Sequence, residues 1–206
     1  MKDLNKHWNN IYKNSKEDKL GWYETDYSAT FNLLKQIPNW KNAKIFIPGA
    51  GTSGLIDILL DSNAHLILND LSSEVLERSK AKYDYDKYNI RWMNQDISKP
   101  LSSDLNDVDI WIDRAVLHFI IDDNCIHQYF KNVDNVVKAG GYAIFAEFSK
   151  SGATRCAGLD VKRYNIDDFK LNLTSFNLIS IQEYTYINPS GDPRPYIYTL
   201  FKKKYT

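Results

Sequence analysis

Cysteine is scarce in this chain: Cys125 and Cys156 are the only two in 206 residues. Two thiols make neither a disulfide framework nor a metal cluster by themselves. An excess of one charge is also missing, since Lys plus Arg number 26 and Asp plus Glu number 26. A neutral chain lacks the electrostatic footprint that a phosphate backbone requires, so no nucleic-acid partner is expected. No apolar run reaches the length of about 18 residues that a membrane helix needs. The opening stretch Met1-Lys2-Asp3-Leu4-Asn5-Lys6-His7-Trp8 has no apolar signal-peptide core, and a cytoplasmic location without a membrane partner is expected. Internal repeats and linkers rich in Pro, Gly or Ser are absent as well. One domain is therefore expected over residues 1–206, with an N-terminal helical lid region at 1–43 and a core at 44–206.

Aromatic residues, in contrast, are plentiful, with 14 Tyr, 9 Phe and 5 Trp. Most are expected to pack the core. Leu4, Trp8, Ile11 and Tyr12 recur at helical spacing, and a second short helix is expected from Ser28 to about Ile37, ended by Pro38. Lys44–Ile47 reads as a strand that breaks at Pro48-Gly49, followed by a helix over Leu55–Leu60 and a strand over His65–Leu68. A Ser-capped helix is expected after Ser72-Ser73, with Glu74 and Glu77 near its positive end. Further strands are expected at Asn89–Met93 and Val108–Ile112. The stripe Ile126, Tyr129, Phe130, Val133, Val136, Val137 predicts a helix that stops at Gly140-Gly141. Tyr142–Phe148 is apolar on both faces, as a central parallel strand is. A helix near Ile166–Leu173 and two strands, Leu178–Ile187 and Tyr196–Lys202, close the chain, with Asn188–Pro195 as the turn.

This order of elements predicts an α/β fold: a Rossmann-like open seven-stranded sheet, mostly parallel, with a C-terminal antiparallel hairpin and helices on both faces. Ligands in such sheets bind at the carboxyl ends of the strands. At the first of these ends stands Gly49-Ala50-Gly51-Thr52-Ser53-Gly54, a complete G-x-G-x-x-G between a strand and a helix. Its backbone turns sharply, lets a ligand approach closely, and at Gly54 lets the helix sit tightly on the strand. Asp70 stands at the end of the second strand, where a carboxylate accepts from a ribose diol; the alternative is a helix N-terminal acid ahead of Leu71-Ser72. Gln95-Asp96-Ile97 after the third strand supplies a second acid, suited to an adenine amino group. NAD and S-adenosylmethionine both satisfy the glycine loop with Asp70. The long segment before the first strand, the acid at Asp96 and the terminal hairpin favour the latter.

At this point the chain resembles the class I S-adenosylmethionine-dependent methyltransferases, and is closest to a group of small bacterial members. The stretch Asp109-Ile110-Trp111-Ile112-Asp113-Arg114-Ala115-Val116-Leu117-His118-Phe119, the pair Gly140-Gly141, and Arg155-Cys156-Ala157-Gly158-Leu159 carry the likeness. The resemblance implies S-adenosylmethionine as cofactor. It places Gly49, Ala50 and Gly51 against the methionyl part, Asp70 on the ribose, Asp96 and Ile97 at the adenine, and Asp113 and Arg114 beside the methionyl end, with Gly54 and Leu71 among the cofactor-binding residues. Most class I members carry an acid two residues before the first motif glycine. Here that position is Ile47, followed by Pro48, an arrangement similar to the thiopurine and thiol/halide methyltransferases.

For catalysis, His118 is the candidate base, with Asp113 beside it; a packed structural histidine is the alternative. Gly21-Trp22-Tyr23-Glu24 lies between the two N-terminal helices. In similar enzymes an aromatic from this region covers the cofactor and shapes the acceptor pocket, which assigns Trp22 and Tyr23 there; an anchor packed on the sheet is the alternative. A Trp face attracts a sulfonium through the ring quadrupole. Arg155, Cys156 and Arg194 are expected to orient the acceptor. The expected partner is a small molecule, with a thiol or other soft nucleophile favoured. A protein-lysine acceptor, an NAD(P)-linked oxidoreductase and a catalytically silent binding protein are the alternatives.

Overall fold

The computed structural model describes residues 3–83 and 87–205. Helix α1 (Leu4–Asn14) is capped by Asp3, whose side chain accepts from Lys6 N. Then follow α2 (Ser28–Leu34), β1 (Lys44–Ile47), α3 (Leu55–Leu60), β2 (His65–Asp70), α4 (Ser73–Lys82), β3 (Ile90–Asn94) and β4 (Val108–Arg114). The second half comprises α5 (Asp123–Val136), β5 (Val137–Phe148), β6 (Arg155–Cys156), β7 (Leu159–Asp160), α6 (Ile166–Asn172), β8 (Phe176–Ile187) and β9 (Pro193–Lys203). Seven strands form one sheet in the order β3-β2-β1-β4-β5-β9-β8. The first five run parallel, and β9 joins β5 antiparallel, as β8 joins β9.

Side chains alternate across each strand, and this divides the core in two. Ile45, Ile47, Ile110, Ile112 and Ile144 face one layer with Leu33 and Leu34 of α2 and Leu55, Ile56 and Leu59 of α3. Phe46, Trp111 and Phe145 face the other, against Tyr129 and Val133 of α5 and Phe169 of α6. Phe46 and Trp111 stack with centroids 4.4 Å apart, and Trp111 Nε1 donates to the Tyr129 hydroxyl at 3.1 Å. Strand order reverses between β1 and β4, so the crevice opens at the carboxyl ends of those two strands.

Several boundaries differ from the sequence reading. Helix α2 stops at Leu34, and two turn hydrogen bonds carry the chain from there to Ile37. Gly140-Gly141 does not end α5: the helix ends at Val136, and β5 begins with Val137 opposite Val108. A register shift between Val108 and Ile110 takes up the glycine pair inside the strand. The final hairpin closes more tightly, because β9 starts at Pro193 and leaves Asn188–Asp192 as the loop. Asn188 organises it, its side-chain oxygen accepting from Ser190 N and Asp192 N. The small β6–β7 hairpin beyond β5 was not expected.

Candidate active site

The glycine loop follows β1 directly. Gly49 and Gly51 adopt φ of +52° and +54°, in the left-handed region that side chains disfavour. A β-carbon on Gly51 would meet the Tyr12 hydroxyl at 2.9 Å. Asp70 fastens the loop from the neighbouring strand: its Oδ2 accepts from Gly51 N at 3.0 Å and its Oδ1 from Ser72 N at 2.8 Å. Asp70 is only 6% exposed, and burial pushes its carboxyl up to about 6. Each oxygen keeps lone-pair capacity for a further donor. Ala50 N donates to Asn69 O at 2.8 Å, and Ser79 Oγ to Gly51 O at 2.7 Å. Gly54 N donates to the Tyr27 hydroxyl at 3.0 Å.

The cleft beside this loop is lined by Trp22, Tyr23, Glu24 and Tyr27 on one side and by Ile47 through Ser53 and Arg114 on the other. Arg114 Nε lies 2.6 Å from Glu24 Oε2, both side chains nearly buried. Its Nη1 donates to Trp22 O at 3.0 Å, and its guanidinium lies 5.3 Å and 5.7 Å from the ring centroids of Tyr186 and Tyr196. Burial raises the Glu24 carboxyl, and the nearby guanidinium opposes the rise. The Tyr186 hydroxyl donates to Tyr23 O, which ties the aromatic segment to β8.

Helix α1 lies across the carboxyl edge of the sheet. Asn5 Nδ2 donates to Leu71 O at 2.7 Å, and Asn9 Oδ1 accepts from Ser72 Oγ at 2.7 Å, so the helix is held to the turn after β2. His7 Nε2 is 3.0 Å from Ala157 O in the β6–β7 turn. Between these moorings Trp8 meets Trp22 and Phe119 edge-on, at centroid distances of 5.4 Å and 4.8 Å.

Comparison with known proteins bears on this arrangement. Residues 46–141 match the family model of a methyltransferase domain. Over that stretch the chain is similar to a methyltransferase domain, and the solved structures below share its fold. A solved S-adenosylmethionine-dependent methyltransferase of Anabaena variabilis shares the fold with a TM-score of 0.79 at 14% identity, over 98% of this chain and 93% of that one. A protein studied for the conversion of a disulfide bond into a thioacetal group in echinomycin biosynthesis gives 0.74 at 14% identity, over 98% and 94%. The 1,6-didemethyltoxoflavin-N1-methyltransferase of Burkholderia thailandensis, solved with that heterocycle and S-adenosylhomocysteine bound, gives 0.63 at 14% identity, over 87% and 80%. No curated protein sequence matches the chain.

The residues of the cleft fit S-adenosylmethionine. The glycine cradle is left open by missing β-carbons, and Glu24 Oε1 and Arg114 Nη2 are buried at the cleft with no hydrogen-bond partner. Gly49, Ala50, Gly51, Trp22, Tyr23 and Arg114 come together in the cleft. Asp70, Leu71, Asp96 and Ile97 stand at the ends of β2 and β3; Asp96 Oδ1 accepts from Ser98 N and Oγ at 2.9 Å and 2.7 Å, and Ile97 packs into the core.

His118 and Asp113 are placed differently from the expectation of a base at the reacting centre. Neither lines the cleft, and both have no exposed surface. His118 Nδ1 is 2.6 Å from Glu147 Oε2, and its ring packs against Phe119 and Phe148 at 4.4 Å and 4.7 Å. Burial pushes its pKa down, which favours the neutral ring. Asp113 accepts from Val116 N at 3.1 Å, Leu117 N at 3.2 Å and the Tyr129 hydroxyl, and thereby shapes the turn after β4. A group with these partners holds the chain rather than a substrate proton. Arg155 is exposed and pairs with Asp160 Oδ1 at 3.2 Å, while burial pushes the Cys156 thiol up, away from a reactive thiolate. Arg194 lies 3.5 Å from Asp192. None of these three lines the cleft. The sequence assigns no site role to Glu24, Tyr12, Asn5 or Asn9, although Tyr12 belongs to the apolar stripe of the first helix. Glu24 alone left a signal there, as the acid next to Trp22-Tyr23.

Proposed function

We propose that this chain transfers a methyl group from S-adenosylmethionine to a small molecule, with a thiol or similar soft nucleophile as acceptor. The observation that carries the reading is the cleft at the glycine loop, walled by Trp22, Tyr23 and Tyr27 and roofed by α1. S-adenosylmethionine supplies a sulfonium whose methyl is open to in-line displacement. Gly49–Gly51 and Asp70 would hold its methionyl and ribose parts, and Asp96 its adenine. The aromatic walls would exclude water and orient the acceptor, and positioning of this kind supplies several kcal/mol of a barrier, roughly 7–11 in the best intramolecular cases.

No side chain in the cleft needs to act as base if the acceptor is a thiolate. That agrees with the burial of His118 and Asp113. The Burkholderia neighbour, solved with 1,6-didemethyltoxoflavin and S-adenosylhomocysteine bound, supports a small-molecule acceptor, and the echinomycin neighbour, studied for conversion of a disulfide bond into a thioacetal group, supports sulfur. Methyl-labelled S-adenosylmethionine incubated with the protein and a size-fractionated cell extract tests the reading. Label in the small, organic-extractable fraction is expected. Label retained on macromolecules would instead indicate a protein-lysine acceptor.

A further inference from the structure

The methyltransferase cleft contains an unexplained pair of opposite charges. Among the residues lining it, Glu24 is the one carboxylate and Arg114 the one cation, and they meet at 2.6 Å. The glycine-loop side offers no acid: Ile47, Pro48, Gly49, Ala50, Gly51, Thr52 and Ser53 present only apolar groups, hydroxyls and backbone. A ligand with an ammonium therefore has a single anionic partner in this cleft. Glu24 is 4% exposed and its Oε1 has no hydrogen-bond partner, nor does Arg114 Nη2. Buried polar atoms left unpartnered are costly, and a ligand that supplies their partners removes the cost.

The guanidinium is held in place independently of Glu24. Trp22 O accepts from Nη1, and the rings of Tyr186 and Tyr196 lie beside the cation. A fixed negative group next to a fixed positive one complements a zwitterion, whose own charges are as close together. S-adenosylmethionine carries one, the α-amino-acid end of its methionyl chain. We propose that Glu24 and Arg114 together grip that end, Glu24 Oε1 receiving the α-ammonium and the guanidinium the α-carboxylate. Glu24, delivered from the segment before α2, thus does the work for which the loop after β1 has no acid. The proposal rests on the methyltransferase reading above.

Calorimetry on the whole protein with three probes tests it: S-adenosylhomocysteine, its deaminated analogue, and 5′-methylthioadenosine, which lacks the amino-acid end. In the wild-type protein, loss of the amino group is expected to weaken binding about ten- to a hundredfold, the range for a charged hydrogen bond. Glu24→Gln is expected to weaken S-adenosylhomocysteine by a similar factor and to leave 5′-methylthioadenosine unchanged. Unaltered S-adenosylhomocysteine affinity in Glu24→Gln, with or without a change in acceptor KM, would overturn the proposal and give the carboxylate to the acceptor or to folding alone. If Glu24→Gln does not fold, equal wild-type affinities for S-adenosylhomocysteine and the deaminated analogue overturn it on their own. Binding of all three probes without discrimination defeats this inference and spares the methyltransferase reading. Failure to bind any of them defeats both.

Discussion

Asp70 Oδ2 accepts a hydrogen bond from Gly51 N at 3.0 Å, so the acid placed for a ribose also pins the loop on which the cofactor would rest. Its other oxygen accepts from Ser72 N at 2.8 Å, at the start of α4. Loop shape, and under the proposed function ribose recognition, would then depend on one buried side chain.

Replacing it should affect both. Asp70→Ala strands the Gly51 and Ser72 donors and is expected to cost about 1–3 kcal/mol of stability. S-adenosylhomocysteine affinity should fall at least tenfold. Calorimetry and thermal melting measure the two effects, and unchanged affinity would remove Asp70 from the ribose site.

The pH dependence has a defined sign. Burial raises the Asp70 pKa from 3.8 to about 6, so the native state holds more protons than the unfolded chain between those values. The contribution of this group to stability is thus largest at low pH and declines as pH rises through the window. Binding runs the other way, because ribose hydroxyls donate to the ionised form. S-adenosylhomocysteine affinity should rise through about pH 6 and then level off, and titration calorimetry across pH 5–8 reads this directly. A flat profile in wild type would contradict the assignment.

Gly51→Ala introduces a β-carbon at positive φ and 2.9 Å from the Tyr12 hydroxyl. We expect a loss of about 1–2 kcal/mol from the backbone alone and a looser α1. Hydrogen exchange in residues 4–14 should quicken. Combining the change with Tyr12→Phe should recover part of the loss, since the clash is with that hydroxyl.

His118→Ala should act on folding. It empties a packed site between Phe119 and Phe148 and leaves Glu147 Oε2 without its ring partner, for a loss of about 2–4 kcal/mol. The pH–rate profile should keep its shape, because the wild-type ring stays neutral. Loss of a limb of that profile at unchanged melting temperature would restore His118 as a base.

Much of this architecture can be read along the chain, and the failures share a cause. Strand β1, helix α3 and the hairpin strands follow local patterns: Ile45-Phe46-Ile47 alternates between two core layers, and Leu55–Leu60 presents an apolar helical face. The boundary at Gly140 was misplaced because glycine ends helices in most contexts. Here pairing of Val137 with Val108 across the sheet decides the matter. The site divides in the same way. The spacing of Gly49, Gly51 and Asp70 is local enough to reveal the loop that lines the cleft and the acid that fastens it.

The order of elements, the glycine loop and the acid at its side are written into the chain, because periodicity and motif spacing are properties of neighbouring residues. Which charges face one another is a matter of folding. Glu24 and Arg114 are 90 positions apart and meet because the segment before α2 and the ends of β4, β8 and β9 converge at one crevice. His118 was equally undetermined: its position after β4 points toward the carboxyl edge, yet Glu147 on β5 and two aromatic rings draw it into the interior. Burial and pairing are set by the packing of distant segments, and they decide which of the chemically able side chains remain available to a ligand.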